Sequence, residues 1–369
     1  MALAFSSAIR LYQRQNPSVE VEVVPIANDA YADRLTIDLL AGKGPDVVWF
    51  NSTILPDIYK NIDANTFTDL TPFLETDEEW DRSLYNDMFD AGLYKGGRYF
   101  IPYDYSVHVS IINEKALGAD QVALPETMAY EDFAKQVTDY IDSLADGERQ
   151  KLFFPYSVSA DVFLFSTGLQ FVDYENGTVM CDQEAVRTVT DLWKTLYPHQ
   201  YDAVADGSWI YTNGDYAEAL ENQQAAIGIL WSPLEVLSEM QSGKRYNDFT
   251  LRVSAMPNLL GGKAVARPRF VLAIRNGSPN QQNAYDFLKV MLSDVVQRET
   301  VGIPVLNSAL QAQFAPYVER KEISEQERDQ LYRLFTDVKS YPNFSHRLWL
   351  VYYEYFTPYW ENEATFESC

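Results

Sequence analysis

Apolar positions in the opening stretch fall at steps of three and four: Phe5, Ala8, Ile9 and Tyr12 share one face, and Asn16-Pro17 ends the pattern. That spacing predicts a helix. From Val19 the period changes to two, with Val19, Val21 and Val23 alternating with Glu20 and Glu22 up to Pro25, so a half-buried strand is expected. Tyr31, Leu35 and Leu39 then space a second helix, which Gly42-Lys43-Gly44-Pro45 stops ahead of an apolar strand from Asp46 to Phe50. The alternation predicts an α/β fold with mostly parallel sheets flanked by helices. A unit of this kind normally opens with a strand, and this chain opens inside a helix. A leading strand, with any export signal ahead of it, is therefore expected to be missing from the chain, and Glu361 to Cys369 reads as a helix beginning cut short.

Farther along, Tyr94-Lys95-Gly96-Gly97-Arg98-Tyr99 reads as a tight turn between two strands, the second running Tyr99 to Pro102. Helical spacing recurs near 130–144, 184–197 and 216–222. Strands are expected at 225–231, 251–256 and 270–274, with a Gly261-Gly262 turn between the last two. The segment Gln282 to Leu292 is amphipathic, with Ala284, Phe287, Leu288 and Met291 on one face. Thr76 with Glu79 fits a capping box, which makes the acidic cluster Asp77-Glu78-Glu79 a solvated helix start.

At 369 residues the chain has room for two domains or one large one. Its 53 acidic residues against 29 basic ones leave a formal net charge of −24, which repels phosphate backbones and anionic lipid and argues against nucleic-acid and membrane partners. Two cysteines, Cys181 and Cys369, exclude a disulfide framework. Gly42 and Gly44 lie after a helix and before a strand, the wrong context for a dinucleotide loop. His108, His199 and His346 form no metal-binding spacing, and Asn61, Asp63, Asn65 and Asp69 lack the glycine and closing glutamate of a calcium loop. Neither a metal nor a cofactor is expected. A glycosidase carboxylate pair needs only proximity in space, so a glycoside hydrolase stays as the enzymatic alternative.

Tyr, Phe and Trp make up 14% of the chain, and several stand beside polar groups just after expected strands. Trp49 and Asn51 end one strand, Tyr103-Asp104-Tyr105 follow another, and Trp231-Ser232 end a third. Ligands of open α/β sheets lie at such ends. An aromatic face packs on sugar C–H groups while Asp, Asn and Arg satisfy hydroxyls, so the combination suits a carbohydrate. Trp209 lies in a loop with Tyr211 nearby, and Arg267 and Arg269 flank Pro268 where they either grip a ligand or pair with surface acids.

Ala41-Gly42-Lys43-Gly44-Pro45-Asp46-Val47-Val48 resembles a signature of extracellular solute-binding proteins of the carbohydrate ABC-transporter type. In the same order come Thr68-Asp69-Leu70-Thr71-Pro72-Phe73-Leu74, Gly97-Arg98-Tyr99-Phe100-Ile101-Pro102-Tyr103, Ile111-Ile112-Asn113-Glu114-Lys115-Ala116-Leu117, Ala225-Ala226-Ile227-Gly228, Ser254-Ala255-Met256-Pro257, Ala284-Tyr285-Asp286-Phe287-Leu288-Lys289 and Gly302-Ile303-Pro304-Val305. The resemblance implies a two-lobed periplasmic-binding-protein type II fold. Its lobes are expected to comprise residues 1–107 plus 268–306 and residues 108–267 plus 307–369. The ligand would sit between them, at positions that fall near Trp49, Asn51, Tyr103 to Tyr105, Trp209, Trp231 and Arg267 to Arg269. It further implies a non-enzymatic, monomeric binding component outside the cytoplasmic membrane, lipid-anchored or periplasmic, that delivers an oligosaccharide or modified sugar to a permease; a sensor kinase is the alternative partner. The two arginines, where the family usually has small residues, open the possibility of an acidic glycan. The aromatic C-terminal helix with Trp349, Tyr352, Tyr353 and Phe356 is expected to pack on the second lobe.

Overall fold

The computed structural model describes residues 2–51, 58–113, 129–143, 153–155, 164, 166–168, 171–180, 183–196, 200–201, 227–230, 232–246, 251–258, 263–340 and 346–369. Its strands, in chain order, are β1 Val47–Asn51, β2 Leu93–Tyr94, β3 Gly97–Arg98, β4 Ile101–Val107, β5 Val109–Asn113, β6 Phe153–Pro155, β7 Val172–Asp173, β8 Thr178–Val179, β9 Gln200–Tyr201, β10 Ile227–Leu230, β11 Leu251–Ala255, β12 Ala264–Ile274, β13 Ile303–Pro304 and β14 Val338–Ser340. Two five-stranded sheets result. One has the order β1-β12-β4-β13 with β14 against the start of β12, and the other has the order β11-β5-β10-β6-β9.

His108 alone separates β4 of the first sheet from β5 of the second. The chain returns between Ala255 and Ala264, so β12 enters the first sheet beside the point where β4 leaves it, with Ala266 opposite Val107. It must then run against both β4 and β1. The sheets are therefore mixed, not mostly parallel: β5 is likewise flanked by antiparallel β10 and β11, and the parallel pairs are β10 with β6, β6 with β9 and β12 with β14. Relative to the expected lobes, β12 already begins at Ala264, and β14 brings residues 338–340 into the first sheet.

Every residue of β4 is buried, as befits a strand covered on both faces. Its Ile101, Tyr103, Tyr105 and Val107 join the main core with Ala4, Ala8 and Tyr12 of the helix Ala2–Gln15 and Phe287, Leu288 and Met291 of the helix Gln281–Met291. Tyr12 meets Phe287 edge-on at 5.4 Å and donates its hydroxyl to the carbonyl of Asn283. The same core takes in Val236, Leu237 and Met240 of the helix Pro233–Tyr246, so it spans both sheets. A second cluster packs Val48, Phe50, Val271 and Ala273 against Leu35 and Leu39 of the helix Asn28–Leu40. At the other end of the chain the helix His346–Trp360 packs on the helix Gln183–Leu196, with the Tyr352 hydroxyl 3.1 Å from that of Thr190 and Trp360 6.5 Å from Trp193.

Two local expectations are corrected. Val19 and Val21 pack on the core while Glu20 and Glu22 are exposed, but Val23, expected on the same buried face, is exposed, and this segment forms no ladder with any strand among the described residues. Thr76 ends the helix Thr71–Thr76 and does not begin one, because its hydroxyl turns back to the carbonyl of Pro72 and Asp77 takes the amide of Glu79. Asp77 is also no solvated acid: it accepts from Lys289 at 2.7 Å and from the Tyr285 hydroxyl at 2.9 Å. The Tyr94 to Gly97 turn forms as expected, with Lys95 and Gly96 at φ 47° and 83°, the left-handed region a two-residue hairpin requires, but the strand that closes it is Gly97–Arg98 and not Tyr99 to Pro102.

Gly92 presses on the chain beside this hairpin, where a Cβ would lie 1.8 Å from the carbonyl oxygen of Phe100. Neither backbone yields cheaply. Gly92→Ala is expected to destabilise the protein by ~3 kcal/mol, measured as a drop in the urea midpoint at unchanged slope.

Candidate functional site

The cross-strand register between β12 and β4 slips twice where the sheets meet. Pro268 faces Tyr105, Phe270 faces Asp104 and Val271 faces Pro102, so Arg269 on one strand and Tyr103 on the other have no cross-strand partner. Such bulges bend the strand and re-aim side chains, and they recur next to binding sites. Here the bulge brings the guanidinium of Arg269 3.7 Å from the carboxylate of Asp104 and 5.3 Å over the ring of Phe270. Arg269 is one-third exposed and Asp104 is buried, so the pair presents its cationic side outward.

Asp104 is held from three directions. Its Oδ1 accepts the backbone N–H of Phe270 at 3.1 Å, its Oδ2 accepts the Thr300 hydroxyl at 2.8 Å, and Gly302 leaves the space that a Cβ, 2.5 Å from Oδ2, would fill. Burial pushes the carboxyl up to about 6, against the opposing pull of Arg269, Thr300 and the Phe270 amide.

Around this pair stand two more of the expected residues. Asn51, half-buried at the end of β1, faces Phe270, which in turn faces Asp104, so three adjacent strands place Asn51, Phe270 and Asp104 in one row. Trp49 is half-buried among Phe5 at 4.7 Å, Tyr103 at 5.4 Å and Phe270 at 5.9 Å, and its indole N–H has no acceptor among the described residues.

Tyr103 and Tyr105 do not present their rings to a ligand. Both are fully buried, and their hydroxyls donate to the carbonyls of Val296 and Phe335 at 3.0 and 2.7 Å. Burial drives both phenols up. The strand-end reading is corrected for these two because both faces of β4 are covered. Ser232 stands apart, buried at the start of the helix Pro233–Tyr246, where its hydroxyl accepts the N–H of Glu235 at 3.4 Å. Arg267 faces Ser106 and, after burial, is the second influence holding the His108 imidazole down to about 3. Trp209 and Trp231 lie outside the described residues.

Sequence reasoning missed Thr300 and Gln313. The buried amide of Gln313 donates to the carbonyls of Thr300 and Gly302, which fixes the segment that carries the Thr300 hydroxyl to Asp104. The signal was the Gly302-Ile303-Pro304-Val305 motif, two residues from Thr300. Thr300 also lines a cavity of about 430 Å3 with Leu234, Arg298, Gln313, Tyr317 and Arg320. Both its arginines are charge-compensated, Arg298 by Asp294 at 2.5 Å and Arg320 by Glu322 at 2.9 Å. Among the described residues no group of three or more His, Cys, Asp or Glu is placed to hold a metal, and no helix is long and apolar enough to cross a membrane.

The sequence profile of a family described as bacterial extracellular solute-binding protein matches residues 7–322. No curated protein matches the chain. Among solved structures, MalE, the sugar-binding protein of Xanthomonas citri, is 15% identical with a TM-score of 0.72, the match covering 99% of this chain and 90% of that one. An ABC substrate-binding protein of Listeria monocytogenes solved with cycloalternan is 18% identical, with a TM-score of 0.65 and coverage of 98% and 91%. The GacH receptor of Streptomyces glaucescens, solved unliganded and with acarbose, is 17% identical, with a TM-score of 0.63 and coverage of 100% and 92%. These likenesses establish a shared α/β fold of two lobes.

The raised Asp104 carboxyl has a signed consequence. The folded group keeps its proton up to about pH 6, whereas an unfolded aspartate releases it near ~4. The folded state thus binds the extra proton in between, and this group's contribution to stability falls as pH rises from about 4 to about 6, by on the order of 3 kcal/mol. Asp104→Asn is expected to remove that fall, seen as a wild-type-minus-variant difference in urea stability that changes between pH 4 and 6 and is flat above.

Proposed function

We propose, from the premise that this chain belongs to the bacterial extracellular solute-binding proteins, that it captures an oligosaccharide outside the cytoplasmic membrane and hands it to an ABC permease. The family is one of binding proteins and not of enzymes, so no turnover is expected. The observation that carries the reading is the fold-wide likeness, over 99% of this chain, to a sugar-binding MalE. The cycloalternan-bound and acarbose-bound relatives support an oligosaccharide over a monosaccharide.

In this reading the ligand lies between a lobe built on the sheet β1-β12-β4-β13 with β14 and a lobe built on the sheet β11-β5-β10-β6-β9. Arg269, Asn51 and Trp49 contact it, Asp104 orients Arg269, and Trp209 and Trp231 are further candidate contacts, whereas Ser232 serves the start of its helix. Because Asp104 compensates the charge of Arg269, the arginine serves a neutral ligand as a set of aimed hydrogen-bond donors. Tyr103 and Tyr105 act as packing. The protein works as a monomer, anchored by lipid or free in a periplasm, and rotation of the lobes about the strands near His108 signals the loaded state.

A thermal-shift panel of acarbose, linear maltooligosaccharides, cyclic glucans and uronate oligomers tests this. A rise of several degrees with one neutral class, the glycan being recovered intact, is the expected outcome, and Arg269→Ala is expected to weaken that binding about tenfold. Consumption of the glycan would replace the reading with a hydrolase. A shift with uronates alone would reverse the neutral assignment, and no shift across the panel would overturn the carbohydrate.

A further inference from the structure

Arg269 and Asp104 form an ion pair without a hydrogen bond. The guanidinium Nη1 stands 3.7 Å from the carboxylate Oδ2, within reach of its charge and beyond bonding distance. Asp104 has its oxygens engaged elsewhere, Oδ1 by the backbone N–H of Phe270 and Oδ2 by the Thr300 hydroxyl. Among the described residues Arg269 donates to no acceptor, and its other neighbour is the ring of Phe270. Gly302 makes room for both groups, since a Cβ there would lie 3.2 Å from Nη1 and 2.5 Å from Oδ2.

Charge and hydrogen bonding thus reside on different residues. The Asp104 side chain, 3% exposed, cancels the arginine's charge from the interior, while that of Arg269, 33% exposed, keeps its N–H donors for what lies outside. A neutral, hydroxyl-rich ligand can take those donors without meeting a net charge. A carboxylate or sulfate would gain the arginine but face the buried negative charge behind it, and in a poorly screened interior that repulsion offsets much of the gain. The other titratable groups facing Asp104 leave this balance in place. Burial drives the phenol of Tyr103 up, so it keeps its proton, and Glu299, next to Thr300, accepts the Ser7 hydroxyl at 2.9 Å. The amino group that opens the chain is the weakest of the influences that lower the Asp104 carboxyl.

We propose that Asp104 is the specificity-determining residue of this site: its negative charge restricts Arg269 to neutral glycans, and with that charge removed the same guanidinium takes a glycan carrying a carboxylate or sulfate. The inference rests on the reading above, which places the ligand at Arg269, and it gives Asp104 a part in choosing the ligand beyond that of aiming the arginine. Substitution removes the charge, and so does acid. Burial raises this carboxyl to about 6, so it takes up its proton as pH falls through that value and the anion-accepting form appears on the acid side.

Calorimetric titration of the full chain at fixed ionic strength, with sulfate, galacturonate oligomers and the neutral glycans of the panel above, compares wild type with Asp104→Asn and Arg269→Gln. At ~pH 7.5 Asp104→Asn is expected to bind sulfate and the uronates about tenfold more tightly than wild type, with a change of less than about threefold for a neutral glycan. Lowering the pH to ~5 is expected to bring wild type toward the variant, and Arg269→Gln gains nothing at either pH. Equal anion affinity in wild type and Asp104→Asn overturns the proposal, as does a gain in acid that Arg269→Gln shares. If Asp104→Asn fails to fold, the acid gain of wild type over Arg269→Gln reads the same charge in the native chain. Sulfate binding requires no sugar to be recognised. If no glycan of the panel binds while the sulfate pattern holds, the carbohydrate reading fails and the control of charge by Asp104 stands.

Discussion

Everything in the first half of the molecule depends on one strand crossing it the opposite way. β12 enters from the second sheet beside Val107, pairs with β4 on one side, and then takes β14 and β1 in succession on the other. Because it must pair along its whole length between neighbours that arrive from different directions, the ladder cannot stay in perfect register. The two slips fall at Arg269 and Tyr103. A flat, regular pairing would send the Arg269 side chain to one face of the sheet; the bulge instead brings it beside Asp104. The candidate site is thus a by-product of how the sheets are joined.

Buried amides secure that arrangement. Gln297, fully enclosed, donates to the carbonyls of Tyr103 and Met291 and accepts the backbone N–H groups of Val305 and Leu306, so it ties the bulged part of β4 to the segment holding β13. Gln313 does the same for Thr300 and Gly302 from the helix Asn307–Glu319. In a low-dielectric interior such bonds are costly to break, which keeps the Thr300 hydroxyl aimed at a carboxylate that burial alone would neutralise. The site rests on buried polar groups that carry no motif of their own.

Several helices were legible where a stripe of apolar residues met a clear stop, while the one expected at 216–222 lies outside the described residues. The helices at Ala2–Gln15, Tyr130–Ser143, Gln183–Leu196 and Gln281–Met291 all lie within a few residues of their expected bounds. The start of β12 was not legible, because Arg267-Pro268-Arg269 looks like the end of a loop. Proline is tolerated there since the register is already interrupted one residue later, so its missing N–H falls at a disturbed part of the ladder. The sense of the sheets was misjudged for a related reason: alternating helices and strands describe order along the chain, and a strand that re-enters from another sheet breaks the link between order and direction.

By itself the sequence determined most of the periodic elements and the solute-binding family, and it singled out Asp104, Arg269, Asn51 and Trp49, which the structure gathers near the seam. Those follow from local spacing and short motifs, which adjacent residues are enough to encode. Only the tertiary structure decided that Tyr103 and Tyr105 spend their hydroxyls on Val296 and Phe335, that Thr300 and Gly302 shape the pocket of Asp104, and that Tyr174 reaches Tyr59 and Tyr94. Each of those depends on which faces are covered and which distant segments arrive together, and burial of a side chain is a property of its neighbours in space, which no spacing along the chain records.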